Sequence, residues 1–436
     1  MRESESSPFR VAIVGGGYAG FAAAVELASQ GTQVQLFEAG PVLGGRARRI
    51  TYRDLALDNG AHILLGAYRE TLRLQGTVGV PASALLRLPL QWVIKDRLKI
   101  HTAGLPAPLH LLAGLFSAAG LTFGECLAAA KFMMAMRRTN FRLSSDITVA
   151  ALLEMHRQQG ALARYLWEPL CVAALNTPPE QASAQVFLNV LRDGLAQGEA
   201  DSDLLLPRLD FSRLFPEKAA DYLTQKGGQV LTLSPVSRVE TTPRGFAIAV
   251  KGETHSADAV ILAVGPHQAA GLLSPIRGTD SLVACINRLA YEPICTVYLQ
   301  YADSIALPSP MLGLAGGLVQ WVFDREALYG QRGLLAAVMS VAGAHAAIAN
   351  DDVARTIAAE IANHFPCFGK PLWSKVILEK FATFACTPGL QRPAQKTPVQ
   401  RLYLAGDYTA GDYPATLEGA VRSGVKCAQL LLAEAH

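Results

Sequence analysis

Six residues near the start of the chain constrain its fold more than any others: Gly15-Gly16-Gly17-Tyr18-Ala19-Gly20. An apolar run ending at Val14 precedes them, and an Ala-rich segment from Phe21 to Gln30 follows, stopping at Gly31. The run, Arg10 to Val14, reads as a buried strand and the Ala-rich segment as a helix. Thr32 to Phe37 alternates as a second strand, so the three predict a βαβ unit. In that setting Gly15 permits the tight turn, Gly17 lets a pyrophosphate approach the backbone, and Gly20 allows close packing of helix on strand. The phosphate charge then sits at the helix N-terminus, with Tyr18 and Ala19 in the same cofactor-binding turn. Glu38 ends the second strand 18 residues after Gly20, where a carboxylate accepts hydrogen bonds from an adenosine ribose and disfavours a 2′-phosphate. The bland reading, a glycine turn beside a surface Glu, has to explain three agreeing features by chance. The motif by itself does not separate NAD from FAD.

Half of the 436 residues are hydrophobic and only 17% are charged, and mean hydropathy is positive. Such a chain is too apolar for disorder and long enough for two domains. The 39 Lys and Arg against 36 Asp and Glu leave +3, which provides no broad field for nucleic acid. The most apolar stretch, Leu111 to Phe123, has 13 residues with Pro106, Pro108 and Glu125 at its edges, whereas a spanning helix needs about 20. The first ten residues are polar with both charge signs, unlike a secretory signal. The seven cysteines are scattered and contain no C-x-x-C pair, so neither a disulfide framework nor a zinc or other metal site is expected, and buried thiols in a reducing cytosol are.

Further along, Gly104 to Arg208 is mostly helical in pattern and interrupts the α/β region. Val230 to Val239 and Phe246 to Val250 read as strands about the turn Pro243-Arg244-Gly245, and Ala257 to Val264 as a continuous apolar strand. Ile294 to Tyr301 and Leu334 to Val341 alternate, Asp351 to Phe365 reads as a helix, and the chain closes with a strand at Leu402 to Ala405 and a helix from about Thr416 to Ala433.

Three further motifs bear on the cofactor. Gly44-Gly45-Arg46 puts flexible backbone and a guanidinium just after Glu38, suited to a pyrophosphate. Asp58-Asn59-Gly60-Ala61-His62 is a compact polar turn, and Leu402 to Ala405 runs through Gly406 into Asp407. Ala415-Thr416-Leu417 opens the last helix, whose amides could face a ring carbonyl. With these pieces the chain resembles the FAD-dependent amine oxidase and phytoene desaturase superfamily: VAIVGGGYAGFAAAVELASQG with LFEAG, GGRARR, ADAVILAVGP and YLAGDYTAGDYPATLEGAVRSG carry the likeness. LDNGAHILLGAYRETLRL, residues 57 to 74, is most similar to the squalene-associated branch, the hydroxysqualene dehydroxylases of bacterial hopanoid and related triterpenoid pathways.

The resemblance implies an α/β fold in which a Rossmann-like FAD-binding domain (residues 1–103, 208–270 and 397–436) is interleaved with a substrate domain of mixed sheet and helices (104–207 and 271–396). It implies that Gly15, Gly17, Gly20 and Glu38 take the ADP half of FAD, Gly45 and Arg46 the pyrophosphate or flavin edge, and Val236 to Val239 the adenine. Gly406 and Asp407 would hold the pyrophosphate or ribityl chain, and Ala415, Thr416 and Leu417 would lie under the isoalloxazine. Cys386 lacks the context of the family's covalently flavinylated cysteine, so a noncovalent flavin is expected. The implied reaction removes an allylic hydroxyl and delivers hydride from reduced flavin, giving squalene. His62 is the first candidate proton donor and Tyr408 and Tyr413 are weaker ones, against the plainer reading that His62 only positions its loop or contacts FAD. The substrate would be a long apolar isoprenoid lined by Leu111, Leu112, Leu115, Phe116, Leu121, Phe132, Met133 and Met136, although a Met and Leu stripe at this spacing is also ordinary core. Lys131, Arg137, Arg138 and Arg142 border the insert, compatible with peripheral contact at the inner face of the plasma membrane or with a plain solvated face. Only one dinucleotide fingerprint is present, so the electron donor is external. The competing functions are a carotenoid-type desaturase, an amine oxidase, and a non-catalytic prenyl-lipid carrier; a carrier would have no need of Glu38, Arg46 and Asp407.

Overall fold

The computed structural model describes residues 9–102, 104–341 and 350–435; most of the polar N-terminal arm, residues 1–8, lies outside them. β1 (Arg10–Val14), α1 (Tyr18–Ser29) and β2 (Gln33–Phe37) form the expected βαβ unit. α1 starts three residues earlier than its Ala-rich pattern, inside the glycine turn, because Gly17 takes an extended conformation and serves as N-cap. β1 pairs in parallel with β2 on one side and with Ala259–Leu262 on the other. Gln229–Leu231 joins beyond β2 and Leu402–Leu404 beyond Ala259–Leu262, completing a five-stranded parallel sheet. One face, with Val11, Ile13, Ala259 and Ile261, packs on helices, and the other, with Ala12, Val14, Val260 and Leu262, packs on Val239, Phe246, Ile248 and Val250 of a separate small sheet, so the central strands are apolar on both faces. On one face α1 packs so closely on the C-terminal helix Leu417–Ala435 that a Cβ at Gly424 would lie 2.1 Å from the Ala19 carbonyl oxygen.

A second, seven-stranded sheet runs in the order Trp373–Phe384, Tyr291–Gln300, Leu334–Ser340, Trp321–Asp324, Met311–Gly313, Gln91–Ile94, Leu98–His101. The last two strands come from the segment assigned by sequence to the dinucleotide-binding part, and they hydrogen-bond here instead. Helix Asn350–His364 covers this sheet with Val353, Ile357 and Ile361 against Leu335, Ala337 and Met339.

The insert is helical as expected: Leu109–Phe116, Phe123–Arg138, Val149–Met155, Glu168–Leu175 and Ala184–Leu191, with single π-helical turns at Ala163–Trp167 and Arg192–Ala196. A capping box starts the second of these, Thr122 and Glu125 satisfying each other's backbone amides. Phe132 meets Trp167 edge-on at 5.3 Å inside the insert's core. The insert ends in a strand, Leu204–Pro207, between Leu64–Leu65 and Leu85–Leu88. The strand read from Val230 to Val239 is in fact two: Gln229–Leu231 in the parallel sheet and Val236–Thr242 at the edge of a separate three-stranded sheet. Pro235 and a left-handed Leu233 (φ 53°) break it, and no apolar count registers that turn.

Candidate active site: a dinucleotide cleft and a histidine turn

The glycine turn has the geometry that its spacing predicts. Gly15 (φ 114°) donates its N–H to the Phe37 carbonyl at 2.7 Å, and a Cβ there would fall 2.4 Å from the Ala263 oxygen. A Cβ on Gly20 would sit 2.0 Å from the Gly15 oxygen. Gly17 differs: its nearest neighbour would be Gly45 Cα at 3.7 Å, so no protein atom demands glycine there. The α1 N-terminus carries no side-chain cap and no acidic residue in its first turn, which leaves its amides and positive end for an anion. Glu38 lies across the turn, Oε2 accepting from Gly16 N at 2.8 Å and Oε1 from Gly40 N at 2.7 Å. The chain leaving Leu231 folds over it, Ser234 N donating to the Glu38 carbonyl, so that the exposed edge of Val236–Thr242 follows. Val239 has its side chain in the core, which restricts any contact with an adenine to its backbone. Tyr18 and Ala19 likewise turn their side chains inward: Tyr18 is buried on Phe211 and Phe215 and its hydroxyl donates to the Phe211 carbonyl, so only their amides face the turn.

The second motif meets the last strand here. Gly44 N donates to the Gly16 carbonyl, and Gly45 (φ 60°) approaches Gly17. Arg46, next along, reaches Asp407 Oδ1 at 2.5 Å and donates to the Ala382 carbonyl at 2.6 Å. Burial opposes the Arg46 charge, but Asp407 and Glu379 outweigh it and hold its pKa above the ordinary guanidinium value. Asn59 braces the group, donating to the Arg46 carbonyl and to Glu379 Oε2, both at 2.9 Å. Arg392, which carried no sequence signal beyond its charge, donates to the carbonyls of Asp407, Gly411 and Tyr413 and so shapes the loop after the last strand. Tyr291, beside Phe381 and His267, has a buried hydroxyl with no hydrogen-bond partner among the described residues, and burial pushes it up to about 12.

At the other end of the loop, Thr416 caps the final helix, accepting from Gly419 N at 3.1 Å, with Ala415 and Leu417 half-buried on either side. Glu418 is fully buried and binds Thr71 and the first-turn amides of helix Arg69–Thr77. Tyr413 donates to Asp193 Oδ2 at 3.0 Å, a carboxylate on the second π-turn, while Arg422 lies 4.6 Å from its ring. Tyr408 is a core residue whose hydroxyl has no hydrogen-bond partner among the described residues; burial, then Asp407, pushes its pKa far up, which suits packing better than proton transfer. Cys386 is buried, its thiol pushed up to about 12 by burial.

His62 stands apart from the Arg46 group, on the turn that begins at Asp58. Its Nδ1 lies 2.8 Å from the Gly60 carbonyl, which can only accept, so Nδ1 carries the proton and Nε2 is the free nitrogen. The ring meets Phe211 edge-on at 5.1 Å, and burial, helped by Arg46, lowers the His62 pKa against the opposing pull of Gly60 and Asp58. A small cavity beside it is walled by Pro207, Phe323, Leu328, Tyr329 and Ala336. Behind the turn lies an ion pair that sequence reading missed: Arg325 Nη1 to Asp58 Oδ2 at 2.8 Å, side chains 3% and 1% exposed. Asp58 also accepts from Phe211 N, its backbone bonds the Tyr298 hydroxyl, and the Arg325 guanidinium stacks 3.4 Å above Tyr329. The only signal was Asp58 itself, in a motif read for its turn.

The sequence profile of the flavin containing amine oxidoreductases matches residues 18–432. The chain belongs to that family. Among its relatives are hydroxysqualene dehydroxylases of Sinorhizobium fredii, 28% identical over 98% of this chain and 100% of the relative, and of Rhodopseudomonas palustris, 29% identical over 97% and 98%. A probable zeta-carotene desaturase of Synechococcus elongatus is 25% identical over 97% of this chain and 98% of its own length. The fold is shared with putrescine oxidase bound to putrescine, at TM-score 0.73, 18% identity and coverage of 98% and 99%. It is likewise shared with a putative protoporphyrinogen oxidase from Exiguobacterium sp. 255-15, at TM-score 0.72, 17% identity and the same coverage. As a family member the chain is an FAD-dependent oxidoreductase. Its own residues fit that cofactor: an uncapped helix start, room for a ligand at Gly17, a carboxylate across the turn and an unpartnered Tyr291 hydroxyl near Arg46. The insert's eight candidate lining residues divide differently from expectation. Phe132 and Met136 are core, Phe116 is 45% exposed, and only the half-buried Leu111, Leu112, Leu115, Leu121 and Met133 are left to face a ligand. Among the described residues no three His, Cys, Asp or Glu side chains gather as a metal site, and no helix is long and apolar enough to cross a membrane.

Proposed function

We propose that the chain is a hydroxysqualene dehydroxylase, replacing an allylic hydroxyl of a C30 isoprenoid by hydrogen to give squalene and water. The observation that carries the reading is the match, over essentially the whole chain, to proteins of that name. Gly15, Gly17, Gly20, Glu38 and the backbone of Val239 would hold the ADP half of a noncovalent FAD. Gly45, Arg46, Gly406 and Asp407 would hold the pyrophosphate and ribityl chain, with Ala415 to Leu417 at the ring. FAD, when bound and reduced by an external donor, supplies the hydride.

The chain's own task is to make hydroxide leave as water and to shield the allylic cation. His62 suits the first. Its Nδ1 is committed to Gly60, so protonated Nε2 points a proton outward, and a lowered pKa makes the imidazolium a stronger acid though a scarcer one. Phe323, Leu328 and Ala336 form the apolar side of the small space beside His62, which holds about one water and so could shield the reacting carbon only. Arg325 beside them does not oppose a cation with a full charge, since Asp58 neutralises it. In this reading residues 91–101 belong with the substrate domain, and the enzyme works on the cytoplasmic side, at the inner face of the plasma membrane where its substrate dissolves.

The test is anaerobic incubation with hydroxysqualene, FAD and dithionite, with products separated by gas chromatography. Squalene is expected, and its absence sinks the reading. His62→Gln should retain FAD and lose about 10²–10⁴ in rate; full activity would return His62 to the role of loop anchor. The zeta-carotene desaturase relatives favour a second reading, for which oxidation of zeta-carotene by the same preparation is the decisive result.

A further inference from the structure

Ten large apolar side chains are exposed among the described residues, and six of them, Leu105, Leu109, Phe116, Phe123, Leu127 and Met134, fall within 30 consecutive positions. On helix Phe123–Arg138 the residues Phe123, Leu127, Lys131, Met134 and Arg138 recur at intervals of four and three and share the outward face. Cys126, Ala129, Phe132 and Met136 are buried on the other. An outward stripe of Phe, Leu and Met inverts the usual amphipathic pattern. The preceding helix, Leu109–Phe116, is pressed against strand Leu98–His101, where a Cβ on Gly114 would lie 2.7 Å from the His101 oxygen. Its outward positions Leu109 and Phe116, seven apart, therefore face away from the protein. The Phe116 and Phe123 rings are 5.6 Å apart and join the two helices into one surface.

The charge of the same region is as uneven. Residues 97–142 hold six cations, Arg97, Lys99, Lys131, Arg137, Arg138 and Arg142, and one carboxylate, Glu125, so the segment is +5 (six minus one) in a chain of +3. All six cations are exposed and none forms an ion pair among the described residues. Glu125 is half-buried and engaged with Thr122 and Ala161 N. Apolar side chains flanked by unpaired cations complement a bilayer whose headgroups are anionic: the first enter the acyl boundary and the second stay with the phosphates.

We propose that helices Leu109–Phe116 and Phe123–Arg138 form the face by which the enzyme docks on an anionic lipid bilayer. The proposal rests on the reading above in drawing the substrate from that same membrane, so binding and turnover are measured separately. The FAD-loaded full-length protein is floated with vesicles of phosphatidylcholine, with and without phosphatidylglycerol. Tighter binding to the anionic vesicles is expected, by about fivefold for each engaged cation, and weakening with salt. Leu109→Asp/Phe123→Asp and Lys131→Glu/Arg138→Glu should each lower binding about tenfold or more, while turnover of detergent-dispersed hydroxysqualene stays unchanged. Equal affinity for neutral vesicles, or variants that bind like the wild type, would overturn the proposal. So would a wild-type dimer in velocity sedimentation that Leu109→Asp/Phe123→Asp converts to monomer, since a second copy would then own the face. A wild-type protein that binds vesicles but yields no squalene defeats the dehydroxylase reading alone.

Discussion

Two ion pairs, each joining residues more than 260 positions apart, behave as opposites. Arg46 and Asp407 meet in the dinucleotide cleft with side chains 37% and 7% exposed, whereas Arg325 and Asp58 are sealed behind the His62 turn, among Phe211, Tyr298 and Tyr329, at 3% and 1%. A pair open to solvent on one side is worth about 0–1 kcal/mol and its donors can be redirected to a phosphate at little cost. A sealed pair cannot open without stranding a charge. The cleft pair is thus suited to binding, and the sealed pair to fixing the His62 turn against the seven-stranded sheet.

The largest effect should come from the sealed pair. Arg325→Met leaves Asp58 uncompensated and should cost about 3–5 kcal/mol in denaturant unfolding, with part of that recovered in Asp58→Asn/Arg325→Met; a loss under about 1 kcal/mol would erase the contrast. Next, Gly20→Ala, whose Cβ would meet the Gly15 oxygen at 2.0 Å, should destabilise by about 1–3 kcal/mol. Gly17→Ala, with no such clash, should stay within about 1 kcal/mol yet emerge from gel filtration without its flavin absorbance. Arg46→Ala should change apoprotein stability by no more than about 1 kcal/mol but weaken FAD retention about tenfold or more; a large stability loss would place it with Arg325.

The smallest effect is one of pH. Burial lowers the His62 pKa, so its contribution to stability is present above the ordinary value near 6.5 and is lost as pH falls through the lowered one. Unfolding midpoints should therefore fall on mild acidification in the wild type and less in His62→Gln. As a proton donor His62 acts in its charged form, so kcat/KM should rise as pH drops across the same interval and then level off.

What the chain determined by itself is its local geometry. β1, the glycine turn, α1, β2 and Glu38 lie within 29 residues, close enough for steric rules on glycine and the strand and helix periods to specify them. The insert's helices and the final strand and helix were legible for the same reason. Tertiary structure alone decided the rest. Residues 230–239 divide between two sheets because Glu38 and Gly40 capture the turn between them, and strands 91–101 extend the seven-stranded sheet because Ile94 and Lys95 meet Gly313 at its edge. Whether Phe116 and Met136, equally apolar, face solvent or core depends on what packs behind each helix. Arg46 finds Asp407, and Asp58 finds Arg325, across most of the chain. Hydrophobic spacing records which face of an element is apolar; which distant charge comes to meet it depends on how the sheets are brought together.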